Sequence, residues 1–363
     1  MGSYKVRAFG ITRDLLGGKE AVIEVRGETV GDLRNELTSR FPDLQGLKSL
    51  YIAVNNDYAA EDMVLKPSEK SPLTALRVAE LAMEAGLPEG VLNVVPGFGN
   101  TAGEALAMHM DVDCIAFTGS TRTGKRMLEY SGKSNMKRVW LECGGKAPNV
   151  VLGYVADLER AATAAAWCSF FNQGEMCSAA SRLVVHESVK DAMLEKIVEI
   201  GRTLQPGDPL DPKTRLGAIV DQVQLNTVLG YIESGREEGA EVRLGGKRAR
   251  RESGGFFVEP TVFADVKPGM KIAREEIFGP VLSTITFSDV EEAVKIANDV
   301  SYGLTAAVWS RDITTAHRVA KRLRAGTVYV NCYDADDITV PFGGVKQSGN
   351  GRDKSLHAMD KYT

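Results

Sequence analysis

Apolar and polar residues alternate in two short stretches near the amino terminus, YKVRAFGI and AVIEVRGE, as they do in half-buried strands. The LLGG between them can turn the chain. Thr29 can then cap a helix whose apolar stripe is Val30, Leu33, Leu37 and Phe41. SLYIAVNN returns to alternation. The first part of the chain therefore predicts a small sheet with one helix packed across it.

From Val64 onward, short apolar strands alternate with helices, a pattern typical of a parallel, doubly wound sheet. The first strand candidates are VLK, VLNVV, CIAFT and RVWLE, and helices are predicted to start near Ser71, Thr101 and Thr121. Ser71 can cap the first of these helices, with Pro72 at its first position. The remaining elements are a helix near 157–171, the strand SRLVVHE, a helix near 188–204, and the strands VLSTITF, LTAAVWS and TVYVN.

Length and composition narrow the classes of protein. A chain of 363 residues is too long for one ordinary hydrophobic core, which suggests two or three domains. A net charge of -4 gives no reason to expect nucleic acid, and no window approaches the roughly 18 apolar residues that span a membrane. Five scattered cysteines predict free thiols in the cytoplasm, and the four histidines show no metal-ligand spacing. We therefore expect no nucleic acid, membrane or metal partner.

Three motifs carry residues that can do chemistry, and each also has an ordinary structural explanation. FTGSTRTGKRM places Gly119 and Ser120 where a strand meets a helix N-terminus, a site for phosphate or simply a glycine turn. WLECGGKAPN ends a strand with Glu142, which fits a base or a salt-bridged strand end. FFNQGEMCSAASR holds Cys177 among small residues, and an inert thiol is the default for a single cysteine.

Together these motifs resemble the aldehyde dehydrogenase superfamily. VLKPSE, VVPGFG, EEIFGPV and PFGGVKQSGNGR match in the same order, and the resemblance covers residues 64–363. It implies that Cys177 attacks an aldehyde, that the thiohemiacetal gives up hydride to become a thioester, and that Glu142 activates water for hydrolysis. The substrate would be a small aldehyde and the product a carboxylic acid.

The resemblance also implies the residues that bind the cofactor. Lys66 and Glu69 would hold the adenosine ribose, Gly119 and Ser120 the pyrophosphate, and Glu276 the nicotinamide ribose. The remaining assignments by resemblance are Ser68, Gly99, Gly124 and Phe278. An acidic Glu69 near the ribose favours NAD over NADP. Alternatives remain: a salt bridge at a helix end for Glu276, and a core aromatic for Phe278.

The first 65 residues resemble a different family, the ubiquitin-like small subunit of molybdopterin synthase, a β-grasp sulfur carrier. The resemblance rests on KVRAFGITRDLLGG, TVGDLRNEL and LYIAVNNDY. VLKPSE fits both families, so the chain is interpreted as a chimera. The predicted fold is α/β, with a partial doubly wound parallel sheet and an α/β catalytic domain after a small α+β β-grasp domain. The predicted domains are 1–63 (β-grasp), 64–144 (partial dinucleotide-binding), 145–345 (catalytic) and 346–363 (a truncated carboxyl-terminal segment).

Several departures from the families qualify the expected activity. The asparagine that helps hold the oxyanion and the carboxyl-terminal strand that pairs subunits have no match, so we expect impaired turnover and no family-type homo-oligomer. A carboxylate at Glu175 would disfavour the Cys177 thiolate if it pointed inward. A non-catalytic chimera is the alternative, or a carrier-like β-grasp module, although that family's terminal Gly-Gly is absent and Gly17 and Gly18 are internal.

The segment 331–355, which would contact the substrate, leaves two interpretations open. NCYDADDITVPFGGVKQSGNGRDKS resembles the aminoaldehyde and γ-glutamylaminobutyraldehyde branch of the superfamily. Asp334, Asp336 and Asp337 would then face a cationic substrate end. A solvated acidic loop is the alternative.

Overall fold

The computed structural model describes residues 2–7, 15–18, 20–26, 30–46, 53–54, 57–58, 63–88, 90–335 and 337–362. The chain divides into two compact units, Met1–Ala105 and Leu106–Tyr362. This division coincides with none of the domain boundaries expected from the sequence, which stay predictions.

The first unit opens with an antiparallel hairpin and a helix, as the alternating pattern predicts. Its elements are β1 (Gly2–Arg7), β2 (Glu20–Val25) and α1 (Val30–Arg40). Two short strands, β3 (Ala53–Val54) and β4 (Asp57–Tyr58), pair with each other. The hairpin and α1 share a small apolar core made of Ile23, Val25, Leu33, Leu37 and Leu44. Thr29, Ala8 and most of SLYIAVNN lie outside the described residues, so the β-grasp topology stays a prediction.

The first unit also contains a parallel pair of strands with a helix between them. These elements are β5 (Met63–Leu65), α2 (Leu73–Glu84) and β6 (Leu92–Val94). The expectation that Ser71 caps α2 is wrong. The helix begins at Leu73, Pro72 occupies the cap position and no side chain caps the first turn, because Ser71 lies one residue too early. No residue of α2 is buried.

The second unit begins within α3 (Glu104–Met108), which contains the division between the units. A strand-helix-strand unit follows: β7 (Cys114–Gly119), α4 (Thr121–Lys133) and β8 (Arg138–Cys143), with the two strands parallel. Ala107, Met127 and Leu141 belong to its core. The doubly wound sheet expected over residues 64–144 is thus seen as two parallel pairs, β5–β6 and β7–β8.

A seven-stranded sheet dominates the second unit. Its strands are β9 (Pro148–Val151), β10 (Arg182–His186), β11 (Glu241–Leu244), β14 (Thr261–Ala264), β15 (Val281–Phe287), β16 (Thr305–Trp309) and β17 (Thr327–Val330). Between β11 and β14 the chain forms a separate hairpin of β12 (Arg248–Ala249) and β13 (Phe257–Val258). The order is β11-β14-β15-β10-β9-β16-β17, and only β11 runs antiparallel to its neighbour. The expected α/β class with a largely parallel sheet is confirmed.

Helices cover both faces of this sheet, because parallel strands joined by helical crossovers are apolar on both sides. The helices are α5 (Leu158–Phe170), α6 (Lys190–Thr203), α7 (Gln222–Glu237), α8 (Lys271–Arg274), α9 (Val290–Asn298) and α10 (Ile313–Ala320). Helices α5 and α6 contribute to one core cluster, and α7 to α10 contribute to the other. Every residue of β9, β14 and β16 is buried.

None of the helices within the described residues has both the length and the apolar character needed to cross a membrane.

Candidate active site

The glycine turn after β8 brings three of the predicted residues together. The Gly145 N–H donates to Glu276 Oε1 at 3.0 Å. A Cβ on Gly145 would lie 2.7 Å from the Cys177 carbonyl oxygen, and one on Gly144 would overlap the Glu276 carboxylate. Only glycine allows such approach, and Glu142 lies two residues before this turn on β8. The turn is therefore the centre of the candidate active site.

Glu142 is a buried carboxyl, 8% exposed, and neither of its oxygens has a hydrogen-bond partner among the described residues. Burial raises its pKa to about 8, and the charge of Asp353 adds to the effect, whereas Lys361 and Arg352 oppose it. Once ionised, a carboxyl with that pKa is basic enough to take a proton from an attacking water. The salt-bridged strand end considered from the sequence is not what the structure shows.

A loop distant in the sequence makes room for Glu142. Cβ atoms on Gly343 and Gly351 would lie 2.7 and 2.8 Å from Glu142 Oε1. The backbone amides of Asn350 and Gly351 donate to the Leu141 carbonyl at 3.0 and 2.9 Å, which fixes the loop on β8. The PFGGVKQSGNGR motif thus forms part of the wall around the carboxyl.

The loop of Cys177 is preceded by a left-handed turn. Asn172, Gln173 and Gly174 all have positive φ, and a Cβ on Gly174 would lie 2.2 Å from the Gly279 carbonyl oxygen. Gln173 Oε1 accepts the Gly217 N–H at 2.9 Å, which anchors the turn. The nucleophile is therefore positioned by backbone geometry that glycine permits.

Burial raises the pKa of the Cys177 thiol, and the nearby Glu276 charge raises it further; a smaller contribution comes from Glu142. The backbone N–H groups of Cys177 and Ser178 act in the opposite direction. Glu175 does not point at the thiol, because its Oε1 accepts the Val220 N–H at 3.1 Å. Its carboxylate is thus turned away from the nucleophile.

Glu276 and Phe278 follow α8, and the ordinary alternatives for both fail. The Glu276 carboxylate accepts a backbone N–H rather than forming an ion pair within the described part of the chain. Burial raises its pKa, whereas the Gly145 N–H and Lys146 lower it. Phe278 is 39% exposed with φ of 54°, so it is no core aromatic.

The N-terminus of α4 carries Gly119 and Ser120, the two residues predicted to bind a phosphate. Ser120 caps the helix by accepting the Thr123 N–H at 3.2 Å, and Gly119 ends β7 as an exposed residue. Gly124 is buried, and a Cβ there would lie 2.8 Å from Cys143 Sγ, which gives this glycine a packing role. Its contact with a cofactor stays a prediction.

The remaining cofactor candidates lie in the first unit. Lys66 Nζ donates to the Gly97 carbonyl at 2.8 Å and also contacts the Pro67 carbonyl, and it lies 3.6 Å from the Glu69 carboxylate. Ser68 Oγ accepts the Lys70 N–H at 3.2 Å. Gly99 opens a π-turn and faces open space. Within this unit the VLKPSE and VVPGFG motifs are thus neighbours.

The two described aspartates of the acidic loop have different hydrogen-bond partners. Ser178 Oγ donates weakly to Asp334 Oδ1 at 3.5 Å, so Asp334 lies beside the residue after the nucleophile. Asp337 instead accepts the Thr339 N–H and hydroxyl at 2.8 and 2.7 Å, a local turn. Asp336 lies outside the described residues. Within the described ranges no group of three or more His, Cys, Asp or Glu side chains could hold a metal ion.

Sequence reasoning missed residues around the base. Lys361 pairs with Asp353, and its carbonyl accepts the Trp140 Nε1–H at 3.1 Å, so the last described turn packs on β8. Lys146 is buried, and its Nζ has no hydrogen-bond partner in the described part of the chain. The glycines of PFGG were a usable signal for Glu142, whereas nothing in the local sequence marks Lys361.

Comparisons with known proteins agree with these motifs. The aldehyde dehydrogenase family matches residues 58–363. The NADP/NAD-dependent aldehyde dehydrogenase PuuC of Escherichia coli (strain K12) is 53% identical over 305 residues, which are 84% of this chain and 61% of PuuC.

Solved structures give the same result. A γ-glutamyl-γ-aminobutyraldehyde dehydrogenase from Burkholderia cenocepacia J2315 is 63% identical with a TM-score of 0.81. An indole-3-acetaldehyde dehydrogenase in complex with NAD+ is 59% identical with a TM-score of 0.82. Each match covers 83% of this chain and 61% of the other. The chain therefore spans about three fifths of the length of these relatives.

Proposed function

This chain belongs to the aldehyde dehydrogenase family, and on that premise we propose that it oxidises an aldehyde to a carboxylic acid with NAD as hydride acceptor. The observation that carries the proposal is the convergence of Glu142, Cys177 and Glu276 on the Gly144–Gly145 turn. A nucleophile, a base of raised pKa and a carboxylate for a ribose are what this reaction requires.

The chain's own residues account for both halves of the reaction. Cys177 Sγ bonds to the aldehyde carbon and its thiol proton leaves to solvent. The C–H bond then breaks with its electron pair, which leaves a thioester on Cys177. Glu142 removes a proton from water, the water oxygen attacks the thioester carbon, and the C–S bond breaks to release the acid and the thiolate. NAD, when bound, accepts the hydride.

The residues present fit such a cofactor. The Glu276 carboxylate lies against a turn that a Cβ would fill, the N-terminus of α4 is capped but exposed, and Phe278 stays partly uncovered. Lys66 and Glu69, 3.6 Å apart, present a donor and an acceptor as ribose hydroxyls require. The Glu69 charge would repel a 2′-phosphate, which supports NAD over NADP.

The test is NADH formation by the purified chain. We expect Cys177→Ala to abolish it. The control is Cys332→Ala, since Cys332 is half-buried like Cys177 but lies outside the turn. Equal loss in both variants, or activity surviving in Cys177→Ala, contradicts the proposal.

For the substrate class we propose an aminoaldehyde, with Asp334 facing its cationic end. The support is the position of Asp334 beside Ser178 and the similarity to a γ-glutamyl-γ-aminobutyraldehyde dehydrogenase. The indole-3-acetaldehyde relative is nearly as similar. We expect Asp334→Asn to lower kcat/KM for an aminoaldehyde but not for a neutral aldehyde of equal length. An equal effect on both supports the solvated loop instead.

For residues 1–63 we propose a β-grasp, carrier-like module. The hairpin and α1 share a core of their own, which supports this second candidate. Expressed alone, this segment should unfold cooperatively; a chain without a cooperative transition contradicts the proposal. The five free cysteines support a reducing, cytoplasmic location.

A further inference from the structure

Lys146 is a buried lysine that the reaction above does not use. It is 1% exposed, and its Nζ has no hydrogen-bond partner among the residues that the structure describes. It directly follows Gly145, whose N–H holds the Glu276 carboxylate. An isolated buried charge is costly, so such a residue needs an electrostatic reason.

Three charged groups act on the ammonium of Lys146, one cation and two anions. Arg182 on β10 donates to the carbonyls of Lys146, Ile296 and Ala297 at 3.2, 2.9 and 2.8 Å, so backbone carbonyls fix its guanidinium. Glu276 and Glu275 follow α8 and attract the ammonium.

One of the two carboxylates affects the pKa of Lys146 more strongly than the other. Glu276 attracts the ammonium more strongly than Glu275 does. Glu275 also accepts the Tyr231 hydroxyl at 2.7 Å. Burial and the Arg182 charge lower the pKa of Lys146 to about 7, and the two carboxylates oppose this.

The dependence is mutual. Burial raises the pKa of the Glu276 carboxyl, and the two groups that lower it are the Gly145 N–H and Lys146. The Glu276 charge also raises the pKa values of four neighbouring groups, Cys143, Cys177, Tyr231 and Tyr302. These thiols and phenols are therefore neutral near pH 7 and supply no counter-charge. In a medium of low dielectric a charge acts beyond contact distance.

We propose that Lys146 is a positioning residue: its buried ammonium keeps Glu276 ionised and turned to the Gly144–Gly145 turn, in the form that accepts ribose hydroxyls. This rests on the proposed NAD-dependent function. Lys146 borders a cavity of about 10 Å³ that Tyr302 and Arg324 also line. The unbranched methionine side chain therefore replaces lysine without overpacking.

The first test is calorimetric titration of the full chain with NAD over a range of pH. Affinity should fall on acidification as Glu276 takes up a proton. In Lys146→Met this fall should begin about one pH unit higher, the size of shift that removing an opposite charge produces. The control is Lys137→Met, a buried lysine whose Nζ donates to the Ala107 carbonyl and Ser134 Oγ at 2.7 and 3.0 Å. The proposal is overturned if NAD affinity begins to fall at the same pH in Lys146→Met as in the unaltered chain, or if the control shifts by an equal amount.

The second test needs no cofactor. The folded pKa of Lys146, about 7, lies below its ordinary value of 10.5. Between these values the unfolded chain binds one more proton at this site, so the contribution of Lys146 to stability rises with pH across that window. Glu276→Gln removes the counter-charge and should move the start of this rise to lower pH; Lys146→Met should remove the rise.

The two tests separate the two claims. If the unaltered chain binds no NAD, the proposed function fails, and the stability profile still decides whether Lys146 and Glu276 are coupled. A rise that starts at the same pH with and without the Glu276 charge overturns the coupling.

Discussion

The seven-stranded sheet and the β5–α2–β6 segment arise from the same alternation of short strands and helices, yet they differ in burial. Every residue of β9, β14 and β16 is buried. All three residues of β5 are exposed, and α2 has no buried residue. The same local pattern therefore forms its elements in both places, whereas burial depends on which elements lie on either side.

This difference also separates the chemistry. Cys177, Glu142 and Glu276 lie in the second unit, supported by buried strands and a glycine turn. Lys66 and Glu69 lie in the first unit, which also carries exposed apolar side chains such as Leu73 and Leu81. We expect Cys177, Glu142 and Glu276 to be more rigidly held than Lys66 and Glu69.

The largest expected effect compares two leucines. Leu194 on α6 is 1% exposed, whereas Leu81 on α2 is 46% exposed. Leu194→Ala should lower the free energy of unfolding by about 2–5 kcal/mol, because it leaves a cavity. Leu81→Ala should change it by less than about 0.5 kcal/mol. Denaturant unfolding measures both, and equal losses would show that α2 is as well packed as α6.

The next effect concerns the glycine turn. Gly145→Ala should lower turnover about a hundredfold, the cost of displacing catalytic groups by about 1 Å, because its Cβ would meet the Cys177 carbonyl. Gly230→Ala on α7 is the control, since no atom lies within 4 Å of its Cβ. If the steady-state rate of Gly145→Ala equals that of the control, the turn does not position the catalytic groups.

The third effect is the pH dependence of hydrolysis. Because the pKa of Glu142 is about 8, the deacylation rate should rise about tenfold per pH unit below that value and level off above it. Glu142→Gln should lose this dependence. Single-turnover rates across pH measure it, and a limb that persists in the variant would assign the base elsewhere.

The same carboxyl also affects stability. Between its unfolded pKa of 4.5 and its folded pKa of about 8, the folded chain binds one more proton. The contribution of Glu142 to stability should therefore fall as pH rises through this window, and Glu142→Gln should remove that contribution. Melting temperatures of both proteins at pH 5 and 8 provide the check; parallel profiles would contradict the assigned pKa.

The smallest expected effect compares two serines at helix starts. Ser120 caps α4, whereas Ser71 caps nothing in α2. Ser120→Ala should destabilise the chain by about 1 kcal/mol and Ser71→Ala by a few tenths at most. Urea midpoints decide; equal shifts would mean that Ser71 caps α2 in solution.

Much of this could be predicted from sequence where the signal is local. Periodicity predicted β5 to β8, β10, β15 to β17 and the helices α2 to α6 within a few residues, whereas it did not predict β9, β11 to β14 or α7 to α10. Resemblance, not periodicity, pointed to Glu142 and Cys177 as site residues. The exposure of α2 could not be predicted, because its stripe Leu73, Leu76, Ala79 and Met83 is that of any amphipathic helix. The space around Glu142 comes from Gly343 and Gly351, some two hundred residues away.

The most direct measurement of the central claim is a pre-steady-state experiment on Glu142→Gln with NAD and an aldehyde, combined with mass spectrometry of the quenched protein. We expect a burst of NADH, a slow steady state, and an acyl adduct that accumulates on Cys177, because only the hydrolysis step lacks its base. Loss of the burst, or an adduct on Cys143, Cys168 or Cys332, would contradict the roles assigned to Glu142 and Cys177.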